Sequence, residues 1–225
     1  MFKVSCWGNR SFEFDPQRAA LVVIDMQRDF VSHDGYVGLR HRKRNPLVHI
    51  IPELLGVLGA ARSAGLYIVH TREGYAADGS DVNPYKKALD YVGSPGPGGP
   101  FLIRGFHGHD FSRGFESLAG EAVIDKAGFS AFYNTGLERD LEQRKITHLV
   151  LAGVTTQCSV HSTLRDAVER GYFCLTLEDC CATEDAAVHG ATLRIIQSEN
   201  HLFGWIATGR DFTHALIENR VPGSH

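Results

Sequence analysis

The chain has 225 residues, with 23 Lys and Arg against 26 Asp and Glu, for a formal net charge of −3. That length supports one domain with a sizeable core, read here as residues 1–225. Acidic and basic residues are mixed and no apolar stretch is long enough to cross a bilayer, which excludes the usual electrostatic signature of nucleic-acid partners and a membrane span.

The first clear element is "ALVVID" (Ala20–Asp25), a buried strand that is apolar until it ends on a carboxylate. The basic cluster His41–Arg44 reads as a solvated loop. Asn45–Gly65 carries a helical pattern, with Pro52 marking a first turn or break and Gly65 a stop. Leu66–Arg72 is a second strand. Residues 73–102 read as one long loop ending in "GSPGPGGP", with Tyr75, Tyr85, Leu89 and Tyr91 as anchors. Ordered loops of that length usually form a lid or pocket wall.

Glu121–Lys126 is a third strand and Thr135–Arg144 a helix, where Thr135 and Glu138 have capping-box spacing. His148–Val154 is a fourth strand. Ser159–Gly171 follows as a helix with Val160, Leu164, Ala167 and Val168 on its apolar face. Tyr172–Asp179 is a fifth strand, Glu184–Asn200 a helix and Phe203–Thr208 a sixth strand. The terminal Gly223, Ser224 and His225 are given no structural role. Alternating strands and helices predict an α/β fold: a three-layer α-β-α sandwich around a six-stranded, mainly parallel, Rossmann-like sheet. No G-x-G-x-x-G follows the first strand, so a dinucleotide domain is not expected.

The five cysteines, Cys6, Cys158, Cys174, Cys180 and Cys181, are odd in number and lack C-x-x-C spacing. Neither a disulfide framework nor a zinc site is expected, and a reducing cytoplasm fits this usage. The N-terminus shows no charged-then-apolar secretion pattern.

In open α/β sheets, ligands bind beyond the carboxyl ends of the strands near a topological switch point. Asp25, Arg72, Lys126 and the turn Thr155–Ser159 occupy such ends. Asp25 alone is as readily a loop anchor as a general base, and Lys126 alone is as readily a surface lysine. Together with a nucleophile and the N–H groups of a helix-leading turn, they form the parts needed for acyl transfer.

"VVIDMQRDF", "DKAGFSAFYNT" and "AGVTTQCSVHSTLRDAVERGY", in that order, resemble the isochorismatase-like cysteine hydrolases, and the likeness runs from about Ala20 to Leu216. The resemblance implies a catalytic triad of Asp, Lys and Cys, matched by Asp25 and Lys126. The family's nucleophile motif, G-[VI]-x-T-x-x-C-V, counted from Gly153, places Ser159 where the family has Cys. Cys158 falls one position early. A substitution made to trap substrate is the preferred reading; a natural serine variant and a register change that brings in Cys158 are the alternatives. One position rotates a side chain by about 100° on a helix, which separates the two candidates. The resemblance also implies a cis peptide between Val154 and Thr155, and an oxyanion hole from the N–H groups of Thr155 and Ser159.

Nicotinamidases of this family carry a D-x-H metal site, which "HTREGYAADGSD" lacks. His107 and His109 read as solvent-facing, and no metal or cofactor is expected. "HTREGY", "GSPGPGGP", "IDKAG" and "RGYFCLTLEDCC" look most like the biuret and triuret hydrolase branch, which removes ammonia from small ureido compounds. "FYNT" and "FGW" resemble ureidoacrylate amidohydrolases, the alternative. The expected partner is therefore a small ureido substrate, with a homo-oligomer implied by the family. Phe30, Tyr36 and Phe132 are candidate pocket residues, with packing as their other role, and Arg72 and Glu73 either pair with each other or line the entrance. Gln197, Glu199 and Asn200 are candidates for gripping the distal end of the substrate. Two other functions compete: a catalytically dead binding protein using the same pocket, and vinyl-ether hydrolysis of a bulky carboxylated ring, which needs more basic residues than Arg72.

Overall fold

The computed structural model describes residues 1–218, so Gly223–His225 lie outside the described residues. The chain opens with an element not read from the sequence, an antiparallel hairpin of β1 (Phe2–Cys6) and β2 (Arg10–Phe14). Its signal was alternation: Val4, Phe12 and Phe14 face inward and are fully or almost fully buried. β3 (Ala19–Ile24) follows, then two short helices, α1 (Arg28–Val31) and α2 (Tyr36–Arg40).

A tight turn over Pro46–Ile50, in which Asn45 Oδ1 accepts from Leu47 N–H at 2.9 Å, leads into α3 (Ile51–Ser63). Pro52 sits in its first turn, where its missing N–H has no intrahelical partner to lose. β4 (Tyr67–Glu73) comes next. The segment predicted as loop contains a helix, α4 (Pro84–Leu89), started by Asn83 Oδ1 accepting from Lys86 N–H at 2.8 Å.

β5 (Ala122–Lys126) and α5 (Leu137–Gln143) follow. The capping box is not formed: Thr135 Oγ1 donates to Ala131 O and accepts from Leu137 N–H at 3.3 Å. Gly136, not Thr135, precedes the helix, so Glu138 is a residue out of register for the box. The remaining elements are β6 (His148–Val154), α6 (His161–Glu169), β7 (Phe173–Ala182), α7 (Ala186–His201), β8 (Trp205–Ala207) and α8 (Gly209–Glu218). Within α7 the backbone leaves helical geometry at Ser198, and Glu199 (φ 51°) and Asn200 (φ 65°) are left-handed.

The six strands β3 to β8 form one parallel sheet in the order β5-β4-β3-β6-β7-β8. β3 lies at its centre and is buried along its whole length. Alternation divides its side chains between two cores. Ala19, Leu21 and Val23 face α3, α8 and the hairpin, while Ala20, Val22 and Ile24 face α5, α6 and α7. This is the three-layer α/β sandwich that the sequence predicts. Strand order reverses between β3 and β6, so a crevice opens where Asp25 and the turn after Val154 leave the sheet. Among the described residues no helix is long and apolar enough to cross a membrane.

Candidate active site

Four neighbouring strand ends carry polar groups to this edge: Lys126 from β5, Glu73 from β4, Asp25 from β3 and the 155–159 turn from β6. β3 and β6 approach closely because Gly153 (φ 123°) has no side chain; a Cβ there would meet Ile24 O at 2.1 Å. The Val154–Thr155 peptide is cis. Past it, Thr155 O accepts from Val160 N–H at 3.2 Å, a wide i to i+5 turn that delays the helix to His161.

Asp25 and Lys126 are buried completely and Ser159 is 3% exposed. Lys126 Nζ donates to Asp25 Oδ2 at 2.8 Å and to Gly128 O at 3.1 Å, and lies 3.3 Å from Ser159 Oγ. Thr71 Oγ1 donates to Asp25 Oδ1 at 2.6 Å, and Asp25 N–H donates back to Thr71 at 3.2 Å. Both carboxylate oxygens of Asp25 are thus held by donors from β4 and β5.

A cavity of about 220 Å³ opens onto Ser159. Phe30, Phe101, Leu102 and Phe129 give it apolar walls; Glu73, Tyr91, Thr155, Cys158 and Ser159 give it polar ones. It is smaller than the ~300–1,000 Å³ of sites for drug-sized ligands. Leu102 N–H is pinned at 3.1 Å to Asp29 Oδ2, whose carboxyl burial pushes up to about 6.

Cys158 and Ser159 both line this cavity, but their surroundings differ. Burial, and then the Glu73 carboxylate, push the Cys158 thiol up to about 12, against the opposing effect of Lys126. Cys158 is a neutral thiol at physiological pH, whereas position 159 is the one within reach of Lys126 Nζ.

Of the pair Arg72 and Glu73, only Glu73 lines the cavity. Glu73 is paired in register with Lys126, and Arg72 with Asp125. Successive strand residues face opposite ways, so Arg72 could not share the side of Glu73 and Lys126. Arg72 does not pair with Glu73; its guanidinium grips Asp125 at 2.7 and 3.0 Å, outside the cavity. Glu73 instead takes Lys86 Nζ at 2.8 Å and Tyr75 Oη at 2.6 Å on its Oε1.

Of the other candidates, Phe30 lines the cavity, and Tyr36 stacks behind it on Phe101 at 3.9 Å between ring centroids. Phe132 does not line it. That ring is buried in the α5–α6 core, stacked on Tyr172 at 5.9 Å. Gln197, Glu199 and Asn200 are also elsewhere: Gln197 lies beside Gly8, and Asn200 accepts from Arg10 of the hairpin. The break in α7 turns that corner toward β1–β2 rather than toward the cavity lined by Ser159.

His107 is exposed but His109 is not; it is 3% exposed and packed against Gly74. Burial lowers its imidazole to about 4. Among the described residues no group of three or more His, Cys, Asp or Glu side chains is placed to hold a metal, and all five cysteines are free thiols.

Comparison with known proteins adds relatives to this geometry. The chain is 33% identical over 214 residues to the ureidoacrylate amidohydrolase RutB of Klebsiella pneumoniae, covering 92% of this chain and 90% of that protein. It is 34% identical over 209 residues to the ureidoacrylate amidohydrolase RutB of Caulobacter segnis, covering 88% and 85%. Both bear the name held above as the alternative, rather than that of the biuret branch. The crystal structure of a cysteine hydrolase from Pseudomonas syringae pv. phaseolicola shares the fold, with a TM-score of 0.79, 24% identity, and 92% and 96% of the two chains covered. The isochorismatase domain model matches residues 19–211, a span that runs from the first residue of β3 into α8 and takes in Asp25, Lys126 and Ser159, and the chain therefore belongs to the isochorismatase family.

Proposed function

We propose that this protein, with cysteine at position 159, hydrolyses a terminal C–N bond of a small ureido compound and releases ammonia. The observation that carries this reading is the line Asp25–Lys126–Ser159 at the cavity, with one ammonium 2.8 Å from the carboxylate and 3.3 Å from the nucleophile position. Asp25 takes the thiol proton, and Lys126 favours the thiolate. The thiolate adds to the ureido carbonyl, and the N–H groups of residues 155 and 159 hold the oxyanion. Asp25 returns the proton to the leaving nitrogen; the C–N bond breaks, ammonia departs and a thioester remains. Water, deprotonated by Asp25, adds to the thioester. The C–S bond breaks and the thiol is restored.

Serine fits these steps poorly. Its hydroxyl is a much weaker acid than a thiol, and no histidine lines the cavity to take its proton. We read Ser159 as a replaced nucleophile that binds substrate with little turnover. Cys158 does not stand in for it, because its own thiol is held neutral.

The relatives' names favour ureidoacrylate as substrate, and the motifs named above favour biuret or triuret. Ammonia release from all three by the Ser159→Cys protein ranks them. A gain of roughly a thousandfold or more over the Ser159 protein is expected on at least one. Equal rates for serine and cysteine, or no ammonia from any of the three, would overturn the proposal.

A further inference from the structure

The cavity holds two polar groups that the reaction above does not use. Glu73 is buried, and only its Oε1 is occupied, by Lys86 and Tyr75. Its Oε2 has no hydrogen-bond partner and lies 4.0 Å from Lys126 Nζ. Tyr91, from the long segment after β4, brings a buried Oη that sits beside the Tyr75 phenol without closing a hydrogen bond of ordinary geometry. Burial and the Glu73 carboxylate hold that phenol well above its ordinary range, so it stays a proton donor. An acceptor oxygen and a phenol, neither in a close hydrogen bond, therefore belong to residues lining a small cavity whose other walls are largely aromatic and aliphatic. Unmet buried hydrogen-bonding groups at a binding site discriminate strongly, because a ligand that leaves them unpaired loses the full cost of their desolvation.

The charge balance narrows what satisfies them. No arginine or lysine is among the residues lining the cavity, and the two lysines beside Glu73 already serve carboxylates, Lys86 that of Glu73 and Lys126 that of Asp25. A ligand carboxylate placed beside Glu73 meets a like charge in a water-poor site. An uncharged amide offers N–H to the carboxylate and C=O to the phenol.

Building on the proposed ureido hydrolysis, we infer that Glu73 and Tyr91 form a specificity pair that selects substrates whose non-reacting end is an uncharged amide over substrates that end in a carboxylate.

The test uses the Ser159→Cys protein with biuret and with N-carbamoylglycine, which place an amide and a carboxylate, respectively, at that end. The expected kcat/KM favours biuret by about tenfold or more. Glu73→Gln is expected to shrink that preference by about tenfold, by raising KM for biuret and relieving the repulsion of the acid. Tyr91→Phe is expected to raise KM for biuret about fivefold while kcat stays within about twofold. If Glu73→Gln does not fold, the KM and kcat effects of Tyr91→Phe decide. No turnover of any ureido compound overturns the function itself. Turnover with unchanged preference in Glu73→Gln, or unchanged KM in Tyr91→Phe, overturns the specificity pair and leaves the hydrolase reading standing. An initial preference for N-carbamoylglycine overturns the pair as well.

Discussion

Replacing Lys126 by Met tests whether the ion pair at the centre of the site is balanced. Lys126 Nζ and Asp25 Oδ2 are 2.8 Å apart and both side chains are wholly buried. At an effective dielectric of about 20, that separation gives a gross attraction of about 6 kcal/mol. Desolvation of two buried ions costs several kcal/mol each, so the intact pair contributes little net stability. Breaking it is different. Lys126→Met leaves a buried carboxylate with Thr71 Oγ1 as its remaining side-chain partner, and a loss of about 3–5 kcal/mol is expected. Asp25→Asn is expected to cost less, because Lys126 keeps Glu73 Oε2 at 4.0 Å and Gly128 O at 3.1 Å. The double variant is expected to be more stable than Lys126→Met alone. Urea unfolding at neutral pH, followed by circular dichroism, gives the three free-energy differences. Strict additivity of the two single losses, or a Lys126→Met protein as stable as its parent, would refute this account.

Glu121 ties α3 to β4 at the edge of the sheet, taking Arg62 at 2.7 and 2.9 Å, Leu118 N–H at 2.8 Å and His70 at 2.9 Å. Burial alone would raise its carboxyl, but these donors together hold it down at about 2, against an ordinary value of 4.5. Its contribution is therefore present above pH 4.5 and is lost as pH falls through 2. Glu121→Gln is expected to lose at most about 3 kcal/mol at pH 7 and about 1.4 kcal/mol at pH 3, read by thermal or urea unfolding, and a pH-independent difference would count against it. Cys158→Ala in the Ser159→Cys protein is expected to leave kcat within about threefold, because a neutral thiol lends nothing to the attack. Loss of turnover there would move the nucleophile to position 158.

Asp25 and Lys126 are legible because each ends or directly follows a strand, and strand ends of a parallel sheet converge on one crevice; position 159 is legible from the family motif counted from Gly153. Glu73 also ends a strand, and it reads as Arg72's partner or as an entrance residue until strand alternation is applied, which puts the two on opposite sides. Gln197, Glu199 and Asn200 rest on family likeness, and of the two left-handed residues that break the helix there Asn200 is a type that favours that backbone whereas Glu199 is not, so the break has only a weak signature in the sequence. The hairpin is hard to read from sequence because its strands are five residues each and carry few β-branched residues. The helix expected from Ser159 starts at His161, since a wide turn and the α-helix that continues it share one apolar pattern. His109 looked like a loop histidine in a glycine-rich stretch; only its tertiary neighbours bury it.

The segment that covers the cavity is fastened to the loop that bears the proton acceptor. Leu102 hangs from Asp29, four residues beyond Asp25, and Gln27 between them holds the backbone of Glu73 at 3.0 Å and that of His109 at 3.1 Å. Lifting residues 101–102 therefore has to sever that fastening or drag the stretch 25–29 outward. One set of hydrogen bonds thus fixes both a wall of the cavity and the stretch that carries Asp25.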